Sequence, residues 1–320
     1  MTQAPQTLLE RPLVTFALLA YNQENYIREA VGAALSQDYS PLEIILSDDC
    51  SSDATFEIMR EMADRYAGLH SIVLNRNVRN LNVGGHINNL NRLAKGELVV
   101  AAAGDDISKP DRVSRLVEAW LANGKRSGLL HSARIMITEA GALIGERGHS
   151  ALEELTSAES AIVNNAHVIG ATEAWDRCLF NSYGDFSEGL VHEDLALTFR
   201  SLLAGRPVTY IDRPLVLYRY GVGITASYFG PTSRNTSKRM VLLRRLRTDA
   251  LQRLDDLKVF PNSVVEAAAT LALHKYDVAI RFEDGIPGPM ELTGMIKRVG
   301  FSWVARMFIK YLINIWRDKR

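Results

Sequence analysis

The chain has little cysteine, no long uncharged apolar run and no net charge, and each shortage closes off a class of protein. Its two cysteines, Cys50 and Cys178, lie far apart, which excludes a disulfide framework and a four-thiolate zinc site and suits a reducing, cytoplasmic compartment. No stretch of about 18 uncharged apolar residues occurs, so no membrane-spanning helix is expected. Residues 1–12 also lack the apolar core of a secretory signal, and export by that route is not expected. With 37 basic and 37 acidic side chains, nothing in the total charge favours a nucleic-acid partner. What is present is ordinary for a folded chain: 320 residues, 47% hydrophobic and 23% charged, enough for two domains or one large one with an appendage. The neutral sum conceals a division. Residues 232–320 carry 17 basic and 9 acidic side chains, leaving 20 and 28 for residues 1–231.

Hydrophobic patterning predicts alternating strands and helices in the first half. Leu13–Ala20 is a short continuous apolar run, as in a strand buried on both faces. Helical spacing follows over Glu24–Ser36, then a strand at Leu42–Leu46, a helix near Ala54–Tyr66, a strand at Ser71–Leu74, a helix near His86–Ala94 and a strand at Leu98–Ala102. Such alternation implies a parallel, doubly wound sheet flanked by helices. Beyond Asp111 the pattern predicts a helix to Ala122, a strand at Leu129–Ile137, a loop over Gly141–Ser150, a short helix at Ser157–Asn164 and a helix that holds Trp175. His192–Leu203 reads as helix, and Val208–Ile211 and Leu215–Tyr220 as two short strands. After Thr232 only helices are expected, so residues 1–230 are read as one domain and 231–320 as a helical C-terminal region, with the boundary near Gly230-Pro231.

In an open parallel sheet, ligands bind outside the carboxyl ends of the strands. Tyr21-Asn22, Asp48-Asp49 and Gly104-Asp105-Asp106 all fall there. Each cluster alone would pass for a turn or a helix cap. Together they gather negative charge in one crevice, which is costly unless a cation or hydrogen-bond donors offset it. Mg²⁺ or Mn²⁺ is commonly held by one or two carboxylates plus substrate phosphates, so the arrangement points to a diphosphate ligand. Neither a P-loop nor a Gly-x-Gly-x-x-Gly fingerprint follows the first strand, which argues against a P-loop enzyme and a dinucleotide dehydrogenase.

The ordered segments Val14 to Asn22, Glu43 to Asp53, Ala103 to Asp106 with Pro110-Asp111-Arg112, and Glu193-Asp194 resemble the family 2 inverting glycosyltransferases of the GT-A fold, over roughly residues 13–220. That resemblance implies a GT-A-type α/β, mostly parallel sheet with a helical C-terminal region. It implies a nucleoside diphosphate sugar donor, a glycan or lipid-linked acceptor, and a role in surface polysaccharide or glycoconjugate assembly. It places Tyr21 and Asp49 against the nucleotide, Asp105 toward the ribose and Asp106 on the metal. Asp194 becomes the base that takes the acceptor hydroxyl's proton, with Glu193 beside it, and Gly170-Ala171-Thr172 borders the acceptor. Tyr218-Arg219-Tyr220-Gly221 with Thr225-Ala226-Ser227 resembles a family stretch whose basic groups and hydroxyls reach the diphosphate; Tyr220-Gly221 lacks the His common there, so Arg219 alone is carried over. One departure stands out: Ala103-Gly104-Asp105-Asp106 lacks the first carboxylate common in the family's metal motif. That gap keeps in view a non-catalytic nucleotide-sugar-binding or scaffold protein. A sugar-1-phosphate nucleotidyltransferase would need a Gly-rich basic loop after the first strand, and Ala20 to Glu24 is neither.

Other residues have plainer readings. The histidines lack ligand spacing and read as packing or surface groups, and Trp175 reads as core or as a sugar platform beside the acceptor turn. Residues 297–320 carry Lys297, Arg298, Arg306, Lys310, Arg317, Lys319 and Arg320 against Asp318 alone, interleaved with Phe301, Trp303, Phe308 and Trp316. A helix of this composition suits contact with the inner membrane surface, docking on the body, or the seam of a homodimer.

Overall fold

The computed structural model describes residues 11–147, 155–223 and 236–318. The expected boundary at Gly230-Pro231 and the segment Thr225-Ala226-Ser227 lie outside the described residues. Among those described, strands β1 (Val14–Ala20), β2 (Leu42–Asp48), β3 (Ser71–Arg76) and β4 (Leu98–Ala103) pair in parallel in the order β3-β2-β1-β4. Helices α1 (Ile27–Leu35), α2 (Thr55–Asp64) and α3 (Asn82–Leu93) form the crossovers. Alternate side chains of each strand feed two cores, because successive residues point to opposite faces. Phe16 and Leu18, Ile44 and Leu46, and Val100 pack under α1 and α4 (Arg112–Ala122), whereas Ala17, Ile45 and Val99 meet Ile87, Leu90, Trp175 and Leu197. Each fully buried Val, Leu, Ile or Phe contributes about 1.5–3 kcal/mol, so both faces of the sheet are strongly held.

The sheet continues through β8 (Ala174–Asp176), β6 (Leu129–Ile137), β9 (Val208–Arg219) and the two-residue β5 (Ile107–Ser108). β8 runs antiparallel to β4 and β6, β5 runs antiparallel to β9, and β6 and β9 are parallel, so the sheet is mixed but mostly parallel. Three local expectations change. Leu143–Arg147 is a strand, β7, hairpinned onto β6, where the sequence reads as loop; Leu143 and Ile144, on opposite faces, are both exposed, so no buried face marks it. Trp175 lies in β8 and is fully buried beneath the sheet, so it is core and offers no face to a sugar; α6 (Arg177–Tyr183) begins after it. The two short strands around Asp212-Arg213-Pro214 are one, β9, whose register against β6 shifts near Pro214.

The remaining helices are α5 (Ala158–Val163), α7 (Glu193–Leu203), α8 (Thr236–Val259), α9 (Ser263–Glu283), α10 (Pro289–Val299) and α11 (Phe301–Asp318). The last two are separated at Gly300, whose φ of +86° an L side chain rarely adopts. The C-terminal helices share a core with the body: Leu257, Val265 and Ala269 pack with Ala158, Ile162 and Phe199. A buried pair reinforces this contact, Arg200 Nε donating to Asp256 Oδ1 at 3.0 Å with both side chains out of solvent.

Candidate active site

The ends of β1 and β2 are tied together by short polar side chains. Asn22 N–H donates to Ser51 Oγ at 2.8 Å, Ser52 N–H to Asn22 Oδ1 at 2.9 Å, and Gln23 N–H to Thr55 Oγ1 at 2.7 Å. Asn22 and Cys50 adopt positive φ, 52° and 65°, which turns each loop sharply at its strand end. Tyr21 remains exposed on this rim. Asp48 is buried and accepts from Ser51 N–H at 2.9 Å, with Arg76 Nε 3.4 Å from the same oxygen. Asp49, also buried, accepts from Asn77 Nδ2 at 2.8 Å and from Leu81 N–H at 2.9 Å. Its carboxylate therefore orders the loop between β3 and α3 at the crevice wall.

Asp105 and Asp106 follow β4, both buried. Burial pushes the Asp105 carboxyl up, against the pull of Arg219 and Gln23. Asp106 is raised well above the usual carboxylate range, first by burial and then by Asp105. Ala103 stands where the family's motif commonly has its first carboxylate. Gly104, between it and the two acids, leaves no room for a side chain: a Cβ there would stand 2.5 Å from Gln23 Oε1, 3.0 Å from Ile27 Cδ1 and 3.1 Å from Ala20 Cβ. Two adjacent, desolvated carboxyls form a donor set that fits a hard divalent cation completed by phosphate oxygens.

Arg219, at the end of β9, is buried with its guanidinium turned into the fold. Its Nε donates to Asp105 O at 2.9 Å, its Nη2 to Glu29 Oε2 at 2.7 Å and its Nη1 to Glu139 O, and the group stacks on Tyr26. What Asp106 receives from this residue is the main-chain N–H, at 2.8 Å from Oδ1. The geometry makes Arg219 a clamp on the Asp105-Asp106 turn, since its donors are already engaged within the fold.

The second half of the site is built by α7 and the turn Gly170-Ala171-Thr172. Glu193 and Asp194 open α7, where free N–H groups and the helix dipole favour acids. A Cβ on Gly170 would lie 2.4 Å from Glu193 Oε1, so the turn and the acid are in direct contact. Thr172 is buried and its hydroxyl donates to Ile169 O at 2.9 Å, closing the turn. Burial, then the neighbouring Asp194, push Glu193 up to about 8. Asp194 Oδ1 accepts from Leu195 N–H at 2.8 Å, while Oδ2 lies 3.8 Å from His167 Nε2.

Sequence reasoning missed three residues here. Gln23 supports Asp105 from the β1–α1 loop. Glu173 is fully buried with neither carboxylate oxygen hydrogen-bonded, raised well above its ordinary range by burial and by Glu193 and Asp194. Arg112 is fully buried and joins the two halves: Nη2 donates to Ala101 O at 2.7 Å and to Ala171 O at 3.0 Å, and Nη1 to Ser108 Oγ at 2.8 Å. Desolvation lowers it to about 10, against the pull of Asp106 and Glu173. No local pattern marks Glu173, and the motif Pro110-Asp111-Arg112 gives Arg112 no role, because the contacts that reveal it come from β4 and the Gly170–Thr172 turn. His192 Nδ1, beside the acids, lies 2.6 Å from Asp249 Oδ2 of α8.

These loops and their acids fall on a chain with recognisable relatives. The succinoglycan biosynthesis protein ExoO of Rhizobium meliloti is 32% identical over 123 residues, covering 38% of this chain and 33% of that protein. The match thus spans about a third of the length of the curated relatives. Among solved structures, S. aureus TarS residues 1–349 in complex with UDP-GlcNAc superposes with a TM-score of 0.58 at 17% identity, covering 94% of this chain and 81% of that one. The mannosyltransferase PcManGT from Pyrobaculum calidifontis, in complex with GDP-Man and Mn²⁺, gives 0.57 at 19% identity over 96% and 86%. At such identities the two structures establish a shared GT-A fold. Residues 15–134, from β1 through the Asp105-Asp106 turn into β6, match the family model of glycosyl transferase family 2.

Proposed function

We propose that this protein transfers one sugar from a nucleoside diphosphate donor to a glycan or lipid-linked acceptor, with inversion, during assembly of a surface polysaccharide or related glycoconjugate. The observation that carries the reading is the buried connection through Arg112 between β4, which leads into the Asp105-Asp106 turn, and the turn that meets Glu193-Asp194. A donor site and an acceptor site must share one wall for displacement at the anomeric carbon. The names of the relatives agree, since ExoO is a succinoglycan biosynthesis protein and the two structural neighbours hold UDP-GlcNAc or GDP-Man.

In this mechanism Tyr21 and Asp49 border the nucleotide. Asp106, supported by Asp105, would hold a divalent cation, which supplies positive charge to the departing diphosphate when bound. Arg219 keeps the two carboxyls in place through its backbone and guanidinium contacts. Asp194 accepts the proton of the acceptor hydroxyl as that oxygen attacks the anomeric carbon and the bond to the diphosphate breaks. Glu193, beside Asp194, is held protonated below about pH 8. Gly170 and Ala171 offer a side-chain-poor wall along which a sugar can approach. Free Cys50 and Cys178 suit a reducing cytoplasm.

The test is a thermal-shift panel of UDP-, GDP- and dTDP-sugars with and without Mn²⁺. At least one donor should raise Tm, more strongly with the metal, because ligand that binds only the folded state stabilises it. If no nucleoside diphosphate sugar stabilises the protein in either condition, the proposal fails.

A further inference from the structure

We propose that the outer face of α10 and α11 is a docking surface for an anionic lipid membrane. No helix among the described residues is long and apolar enough to cross one, so the contact is with the surface. The inner face of α11 is already occupied: Val304 and Met307 pack with Val278, Phe282 and Met295, and Trp303, Phe308 and Tyr311 lean on the same cluster. The opposite face is open. Phe301 is 71% exposed, Ile309 57% and Leu312 45%, and Met290 at the start of α10 is 89% exposed. At 100° per residue, Phe301, Leu312 and Ile309 share an arc of about 80°.

Charge supplies the choice of occupant. Arg306 and Lys310 are exposed and follow one edge of that apolar arc, about 60° and 100° beyond Ile309, and Lys297 and Arg298 are exposed in the last turn of α10. None of the four has an acidic partner among the described residues. Between Leu292 and Arg317 the chain has no acid at all, and Glu291, just before, is bonded to Arg281 at 2.9 Å. An apolar strip edged by unpaired cations matches an acyl boundary beneath anionic headgroups. A seam between two copies would set these like charges close to one another, which is unfavourable. The buried Arg200–Asp256 pair and the His192–Asp249 contact join the C-terminal helices to the base-bearing α7, so a docked enzyme would be held through α7 at a defined orientation. The inference does not depend on the donor reading.

The full chain is tested by co-sedimentation with phosphatidylcholine vesicles, with and without phosphatidylglycerol, at low and high salt. Pelleting is expected only with the anionic vesicles and should fall as salt screens the contact. Lys297→Glu/Arg298→Glu/Arg306→Glu/Lys310→Glu should weaken it at least about tenfold, and Phe301→Ser/Ile309→Ser/Leu312→Ser should weaken it on anionic vesicles without changing helical circular dichroism. Indifference of the parent protein to lipid charge overturns the proposal even if a variant fails to fold. So does undiminished pelleting of both folded variants, or their conversion of a dimer to a monomer by light scattering while vesicle binding is unchanged.

Discussion

Gly170 lies so close to Glu193 that a Cβ at position 170 would stand 2.4 Å from Glu193 Oε1. The contact is with the end of a side chain rather than with backbone, so a methyl group there can be accommodated by moving the acid. Gly170→Ala should therefore leave Tm within a few degrees yet reduce turnover by about tenfold or more, because small misplacements beside reacting atoms are costly. Released nucleoside diphosphate is the readout. A loss of stability in proportion to the loss of turnover would refute this account of Gly170.

Asp194→Asn should keep the donor-induced rise in Tm while transfer falls by about 10²–10⁴-fold, the range for loss of a general base. Unchanged turnover in this variant would remove Asp194 from the mechanism.

Glu193 ties stability to pH. Its carboxyl titrates near 4.5 when unfolded and about 8 when folded, so between these values the folded state retains a proton the unfolded state has lost. Stability contributed by the neutral acid is thus lost as pH rises through that window. Glu173, raised by the same burial, acts in the same direction. Glu193→Gln should have a Tm advantage over the parent that is small near about pH 4 and grows toward about pH 8.5. A gap that does not change with pH would show that Glu193 is not held protonated.

Arg219→Ala would leave the carbonyls of Asp105 and Glu139 without their buried donor and release the turn that bears Asp106. A loss of at least about 2 kcal/mol is expected, given about 1–3 kcal/mol for each unsatisfied buried group. The Mn²⁺-dependent part of donor stabilisation should shrink with it. Arg219→Lys should rescue little, since one ammonium cannot replace a forked guanidinium. Retention of the full metal effect in the alanine variant would separate Arg219 from the metal turn.

Arg200→Ala removes one partner of a buried ion pair that joins α7 to α8. Chemical denaturation should show about 3–5 kcal/mol lost, as when an uncompensated buried charge is left behind. A cost under about 1 kcal/mol would mean that the C-terminal helices contribute little to the body.

The alternation of buried strands and helices through β4 was legible because a strand covered on both faces writes a continuous apolar run, as in Leu13–Ala20, whatever lies around it. Likewise, acids at successive strand ends could be located from chain order alone, because parallel connectivity sends those ends to one edge. Beyond Asp111 the reading weakened. β7 has no buried face, Leu143 and Ile144 both being exposed, and β9 keeps hydrogen bonding to β6 across the Asp212-Arg213-Pro214 irregularity, which pattern alone divides in two.

The sequence by itself determined the sheet's first half, the helical C-terminal region and the residue types of the candidate site. Only the tertiary structure decided what those residues do to one another. It placed Gln23 where Gly104 leaves room, turned the Arg219 guanidinium inward, and set Arg112 and Glu173 between two clusters of acids. It also paired Arg239, Arg247 and Arg281 of the tail with Glu283, Asp277 and Glu291, and left Lys297, Arg298, Arg306 and Lys310 exposed on α10 and α11. The reason is physical: periodicity records which face of an element is buried. Protonation, pairing and access depend on what arrives from other elements to share that space.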